Sequence, residues 1–192
     1  YSKHSYQNIV VSRNMLNNAS IRYKDNIESP ENLLLDYASF EAENKFRFEH
    51  TFNKNGWRIN AGLGYEYAKY YNSTYNNITV QGFPIVVDYE STLGLNKFAL
   101  FSQVSKAYFK DKLSSSLGLR TDFSSYASSL SNPLEQLSPS FPLSYRLAKS
   151  WSINANLSRY HQLPSYTILG YRDADGSLAN RDNDVKYIRA DH

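Results

Sequence analysis

The sequence predicts an all-β fold, an antiparallel up-and-down meander of long hairpins. Three observations predict it: side chains that alternate in character at period two, short turns joining the alternating runs, and an abundance of aromatics. The 192 residues include 17 Tyr and 10 Phe beside one Met. Aromatic side chains favour strands, and Tyr and Trp favour membrane–water boundaries.

Taken in order, residues 1–34 read as loop, because Asn17-Asn18, Asp25-Asn26 and Pro30 are turn formers. Met15 to Tyr23 is compatible with a further strand. Residues 35–52 carry the clearest signal. Phe40, Ala42, Phe46, Phe48 and Phe52 share one parity, interrupted by Asn44 and His50, while Glu41, Glu43, Lys45, Arg47 and Glu49 share the other. Such a pattern fits no helix face. Asn53-Lys54-Asn55-Gly56 then supplies turn residues. Beyond it Trp57, Ile59, Ala61, Leu63, Tyr65 and Tyr67 stand against Arg58, Asn60, Gly62, Gly64 and Glu66. Gly62 and Gly64 mark a bend or a close approach in a strand, since no helix follows to make a phosphate loop.

The same grammar recurs. Residues 97–108 pass through Phe109-Lys110-Asp111-Lys112 into Leu113, Leu117 and Leu119, and residues 137–147 pass through Ala148-Lys149-Ser150 into Trp151, Ile153, Ala155 and Leu157. Both Trp strands share the pattern W-x-I-N-A-x-L, as a repeated hairpin unit would. The intervening stretches, about 70–96, 123–136 and 162–192, are expected to be long irregular loops. Short turns then alternate strictly with long loops, and both Trp residues directly follow short turns. Outer-membrane barrels combine these two features, with the short turns periplasmic and an aromatic girdle at each interface. The meander is therefore expected to be part of a large transmembrane β-barrel wall.

Composition agrees and excludes other classes. The mean hydropathy is −0.57 and no apolar run approaches 18 residues, which excludes a transmembrane helix and leaves a barrel open. With no Cys there is neither a disulfide framework nor a thiolate metal site. The net charge of +3 is small and basic residues are interleaved with acidic ones, which argues against a nucleic-acid partner. His4, His50, His161 and His192 lack metal-ligand spacing, so no metal and no cofactor is expected. Asp173-Ala174-Asp175-Gly176-Ser177 has the opening of a calcium loop without its later Glu, and reads as a plain turn. No Ser/His/Asp set supports a barrel-embedded hydrolase, and the chain is not expected to be an enzyme. A soluble antiparallel β-sheet adhesin or carbohydrate-binding module is the competing class, because alternating faces also suit a half-wet sheet.

Two groups of site residues are expected. Glu43, Lys45, Arg47, Glu66, Arg120 and Asp122, with Glu41 and Arg146, would face the lumen and pair with one another or with whatever fills it. Tyr70, Tyr71, Asn72 and Tyr75, running on to Phe83, would form a ligand-binding loop, since clustered Tyr and Asn combine rigid contact area with adaptable hydrogen bonds.

The second half resembles the barrel of TonB-dependent receptors, particularly those of Bacteroidetes. The matching phrases are Leu95-Asn96-Lys97-Phe98-Ala99-Leu100-Phe101 and Leu117-Gly118-Leu119-Arg120-Thr121-Asp122. Ser131-Asn132-Pro133-Leu134, Gln136-Leu137-Ser138-Pro139 and Ser144-Tyr145-Arg146-Leu147 continue them, and Ser158-Arg159-Tyr160-His161-Gln162-Leu163-Pro164-Ser165-Tyr166 follows the last Trp strand. The resemblance covers about residues 95–192, and more weakly the hairpin before them. Ser140 stands where the family often has a basic residue, and Pro139 and Pro142 are expected to mark the loop-side end of their strand. The resemblance implies that residues 1–192 are a partial barrel domain of an outer-membrane receptor for a scarce nutrient, whether siderophore, vitamin, metal chelate or glycan. It further implies outer-membrane lipid, a plug domain and the TonB energy-transducing complex as partners, the plug and the TonB-binding segment lying outside this chain.

Overall fold

The computed structural model describes residues 4–173, 175–181 and 185–191. Eight strands follow one another as β1 (Ser5–Tyr23), β2 (Leu33–Lys54), β3 (Trp57–Val80), β4 (Phe83–Tyr108), β5 (Leu113–Ser124), β6 (Ser138–Ala148), β7 (Trp151–Gln162) and the short β8 (Ile188–Asp191). A one-turn helix, α1 (Tyr166–Leu169), lies between the last two. The strands form one antiparallel sheet in the linear order β1 to β8, so chain neighbours are space neighbours throughout. This is the expected all-β meander.

Turn chemistry sets the register. Asn55 (φ 53°) and Gly56 (φ 77°) both adopt the left-handed region, the requirement of a two-residue hairpin turn, and Lys54 pairs with Trp57 across it. From that turn the β2–β3 ladder runs without slippage to Leu35 opposite Asn76.

Three expectations are corrected. Residues 1–34 are not mainly loop: β1 occupies most of them and pairs with β2 from Ser5–Phe52 to Tyr23–Leu33. Asn17-Asn18 sits inside this strand because ladder hydrogen bonds to a long neighbour outweigh its weak strand preference. The turn residues after it behave as read, with Asp25 and Asn26 at positive φ and Pro30 opening a short 3-10 turn. Residues 70–96 are not a loop either. β3 continues to Val80, Gln81 (φ 52°) and Gly82 (φ 86°) make a second two-residue turn, and β4 returns from Phe83. Strict alternation of short turns with long loops therefore fails at β3–β4. Pro139 does lie at the loop-side end of β6, but Pro142 lies within the strand. Its missing N–H shows as a gap in the β5–β6 ladder between the pairs Ser115–Leu143 and Gly118–Ser140.

The two faces differ sharply. On the outer face Val11, Phe46, Tyr65, Phe98 and Phe123 form one transverse row across β1 to β5. Its rings touch: Tyr65 to Phe98 and Phe98 to Phe123 are each 5.2 Å between centroids. Trp57, Tyr108 and Trp151 lie at the short-turn end. Between the two levels most outward residues are apolar, for example Ile59, Leu63, Leu100, Leu117, Leu119, Ile153 and Leu157, each more than 40 % exposed, with His50 and Ser102 as polar interruptions in the row of Ala61. Trp57 through Tyr65 spans nine residues of β3, the length with which a tilted strand crosses a bilayer. Above Tyr65 and Phe98 the outward positions turn polar, with Lys69, Ser73, Asp88, Glu90 and Thr92. The β3–β4 hairpin accordingly projects past the apolar band. β5 pairs with β4 only from Lys97 onward, so Phe83–Asn96 lie beyond its reach.

Candidate functional site

The concave face opposite the apolar band holds a trough of about 810 Å³. Strand parity delivers its lining. Lys45 opposes Glu66 and Glu66 opposes Lys97, so three charged side chains from β2, β3 and β4 fall in one transverse row. Lys45 Nζ lies 2.6 Å from Glu43 and 3.5 Å from Glu66, and Lys97 pairs with Glu66 and with Glu43 at 3.4 Å. Two lysines thus balance two glutamates.

Into this cluster reaches Tyr166, from α1. Its hydroxyl donates to Glu43 Oε1 at 2.6 Å, stands 3.2 Å from Glu66 Oε1, and accepts from Lys97 Nζ at 2.6 Å. Lys97 also lies 5.0 Å from the centre of the ring. Burial and the two neighbouring carboxylates push the Tyr166 phenol well above its ordinary range, so it remains a proton donor.

The segment after β7 folds inward around this contact. Tyr166, Leu169 and Tyr187 join Tyr126 and Leu130 from the β5–β6 connection and pack on Ala68, Tyr70, Leu93 and Leu95 of the β3–β4 hairpin. Tyr126 donates to the Leu169 carbonyl at 2.6 Å, and Tyr171 meets Tyr89 edge-on at 5.6 Å. Gly170 is needed here: a Cβ would lie 2.7 Å from the Tyr70 ring. The protein's main apolar cluster therefore sits inside the curve of the sheet, beyond the charged row.

The expected lumen residues all lie on this face. Glu43, Lys45 and Glu66 belong to the central cluster. Arg47 pairs with Glu49 and covers the Phe101 ring at 4.8 Å, and Arg120 grips Asp122 with both Nε (2.7 Å) and Nη2 (2.6 Å). Phe101 lies over Gly62, where a Cβ would collide with the Phe48 carbonyl oxygen, so Gly62 marks a true close approach. Sequence reasoning missed Lys97 and Tyr166. Extending the β4 alternation through Phe98 places Lys97 on the charged parity, whereas no local pattern announces Tyr166.

The expected ligand loop is corrected in place and in grouping. Tyr70, Tyr71, Asn72 and Tyr75 stand on β3, and parity divides them. Tyr70 and Asn72 face inward and are buried at 2 % and 1 % exposure, whereas Tyr71 and Tyr75 face outward. Asn72 accepts from Thr74 at 2.7 Å. Phe83 is at the hairpin tip, 73 % exposed. The five do not converge.

The other candidates behave as plain structure. His50 meets Ser5 at 3.2 Å and His161 meets Ser138 at 3.0 Å. Among the described residues no group of three or more His, Asp and Glu could hold a metal, and His192 lies outside them. Asp173–Ser177 is a turn, closed by Asp173 N–H to the Ser177 carbonyl (3.0 Å) and by Gly176 N–H to that of Asp173 (2.9 Å), with Ala174 outside the described residues.

No helix of the described residues is long and apolar enough to cross a membrane. Neither a curated protein nor a solved structure matches the chain significantly. The family described as TonB dependent receptor-like, beta-barrel, matches residues 1–191. With a linear antiparallel wall, an outward apolar band and an ion-paired concave face, the chain belongs to this TonB-dependent receptor β-barrel family of outer-membrane transporters.

Proposed function

We propose that the chain is a wall segment of a larger barrel that admits a scarce nutrient, such as a siderophore, vitamin, metal chelate or glycan, under TonB control. The observation that carries this reading is the opposition of faces. A nine-residue apolar band bounded by aromatic rows backs a trough whose charges are matched among themselves. A soluble module has no use for so large an exposed apolar belt. Membership in the family supports a plug domain and the TonB complex as partners.

Ligand contact falls to the projecting β3–β4 hairpin. Tyr70 and Asn72 are committed to packing beneath the inward-folded segment and Tyr71 and Tyr75 face outward, which leaves the exposed tip residue Phe83 as the contact. Uptake by cells carrying the assembled receptor tests this. Phe83→Ala should raise the nutrient concentration needed for growth several-fold, with unchanged receptor level and heat-modifiable migration, and the outward Tyr75→Ala should not. Normal uptake by Phe83→Ala would remove this residue from the ligand path. Loss of heat-modifiable migration in the wild-type protein would remove the barrel itself.

A further inference from the structure

On the outer surface at the short-turn end, Lys54, Trp57 and Lys106 form one transverse row across β2, β3 and β4. Lys106 Nζ lies 4.4 Å from the Trp57 ring centre and 5.2 Å from that of Tyr108, so two aromatic faces hold the ammonium in place. Lys54 is exposed one strand away. Among the described residues neither lysine has a carboxylate within ion-pairing distance, whereas the inward Lys45 and Lys97 each touch two. The adjoining turns add Lys110, Lys112 and Lys149 against one acidic residue, Asp111. The next row inward along the strands is Phe52, Ile59 and Val104, fully apolar.

We propose that this row is a docking site for the headgroup of an anionic phospholipid in the leaflet facing the short turns. Two cations without a protein counter-charge stand where the apolar band ends, the level at which lipid phosphates lie. The lipid, rather than free phosphate, is the occupant because Phe52, Ile59 and Val104 offer its acyl chains a surface directly beside the lysines. An anionic headgroup is preferred over a zwitterionic one because choline would bring a third positive charge beside two. Lys69 supplies a control within the same chain. It also lies over an aromatic ring, Tyr67 at 5.8 Å, but on the polar part of β3 beyond the band.

The inference rests on the membrane reading above, and the test separates the two. The assembled receptor in detergent is offered equal phosphatidylglycerol and phosphatidylcholine, and retained lipid is counted by native mass spectrometry. Wild type and Lys69→Gln should favour phosphatidylglycerol about threefold or more, and Lys54→Gln/Lys106→Gln should lose that preference. Excess inorganic phosphate should leave it intact. Equal retention of both lipids by wild type, an unchanged preference in the double variant, or displacement by inorganic phosphate would overturn the site. Flotation with pure phosphatidylcholine vesicles reports separately: protein that floats without a headgroup preference loses the site, and protein that fails to float loses the membrane reading.

Discussion

Phe46 and Arg47 are neighbours in the chain and face opposite environments. Phe46 lies in the outer aromatic row, 38 % exposed, while Arg47 pairs with Glu49 above Phe101 on the concave face. A cation on the lipid side of a strand costs roughly 2–4 kcal/mol near mid-membrane and about 0–1 kcal/mol at the interfacial level of Phe46, whereas inward positions see water and counter-charges. Phe46→Arg should therefore depress the yield of assembled, heat-modifiable barrel more than Arg47→Phe does. Similar yields from the two variants would contradict the assignment of the faces. The same residue-scale logic places Tyr65, whose ring lies in the aromatic row while its hydroxyl donates to Asn96 at 2.7 Å, on the polar side of the boundary. An amphipathic ring at an interface satisfies both solvents in this way.

At the scale of elements, the hairpin around Asn55-Gly56 was legible because both arms contrast a wet face with an apolar one. The β3–β4 projection was not, although Gln81-Gly82 has equally good turn geometry. Its outer face is in water and its inner face lies under the segment after β7, so Tyr, Asn and Ser populate both parities and the period of two fades. β1 was hidden for a related reason: nearly all of its side chains are exposed, and a strand defined by its ladder rather than by burial leaves little trace in hydropathy. Side chains brought together by parity, such as Lys45 with Glu66, could be read from the sequence. Contacts made by a chain excursion, such as Tyr166, could not. The projection yields a topological prediction. On intact cells an impermeant thiol reagent should label a cysteine at Thr79, near the hairpin tip, and not one at Lys149, in a short turn. The reverse pattern would invert the orientation of the wall.

For the molecule as a whole, the contact between Tyr166 and the charged row ties α1 to strands three or more places away in the sheet. Charge-assisted hydrogen bonds of this kind contribute about 1.5–3 kcal/mol each. Tyr166→Phe keeps the ring against Tyr70 and removes the hydroxyl from Glu43, Glu66 and Lys97. The expected result is an intact barrel in which residues 171–181 are cut several-fold faster by a protease acting from outside. Cleavage at the wild-type rate would mean that the apolar packing alone holds the segment.

That contact also bears on the order in which the chain is assembled. Each short-turn hairpin closes through partners a few residues apart, but the Tyr166 hydroxyl meets partners 123, 100 and 69 positions away. The entropy of closing a loop grows with its length, and distant pairings are slow to find. The hairpins can therefore zip together one after another before the inner contact exists. Until the chain beyond β7 arrives, Glu43, Glu66, Lys45 and Lys97 have only each other, and their mutual neutrality lets the growing wall wait without a stranded charge.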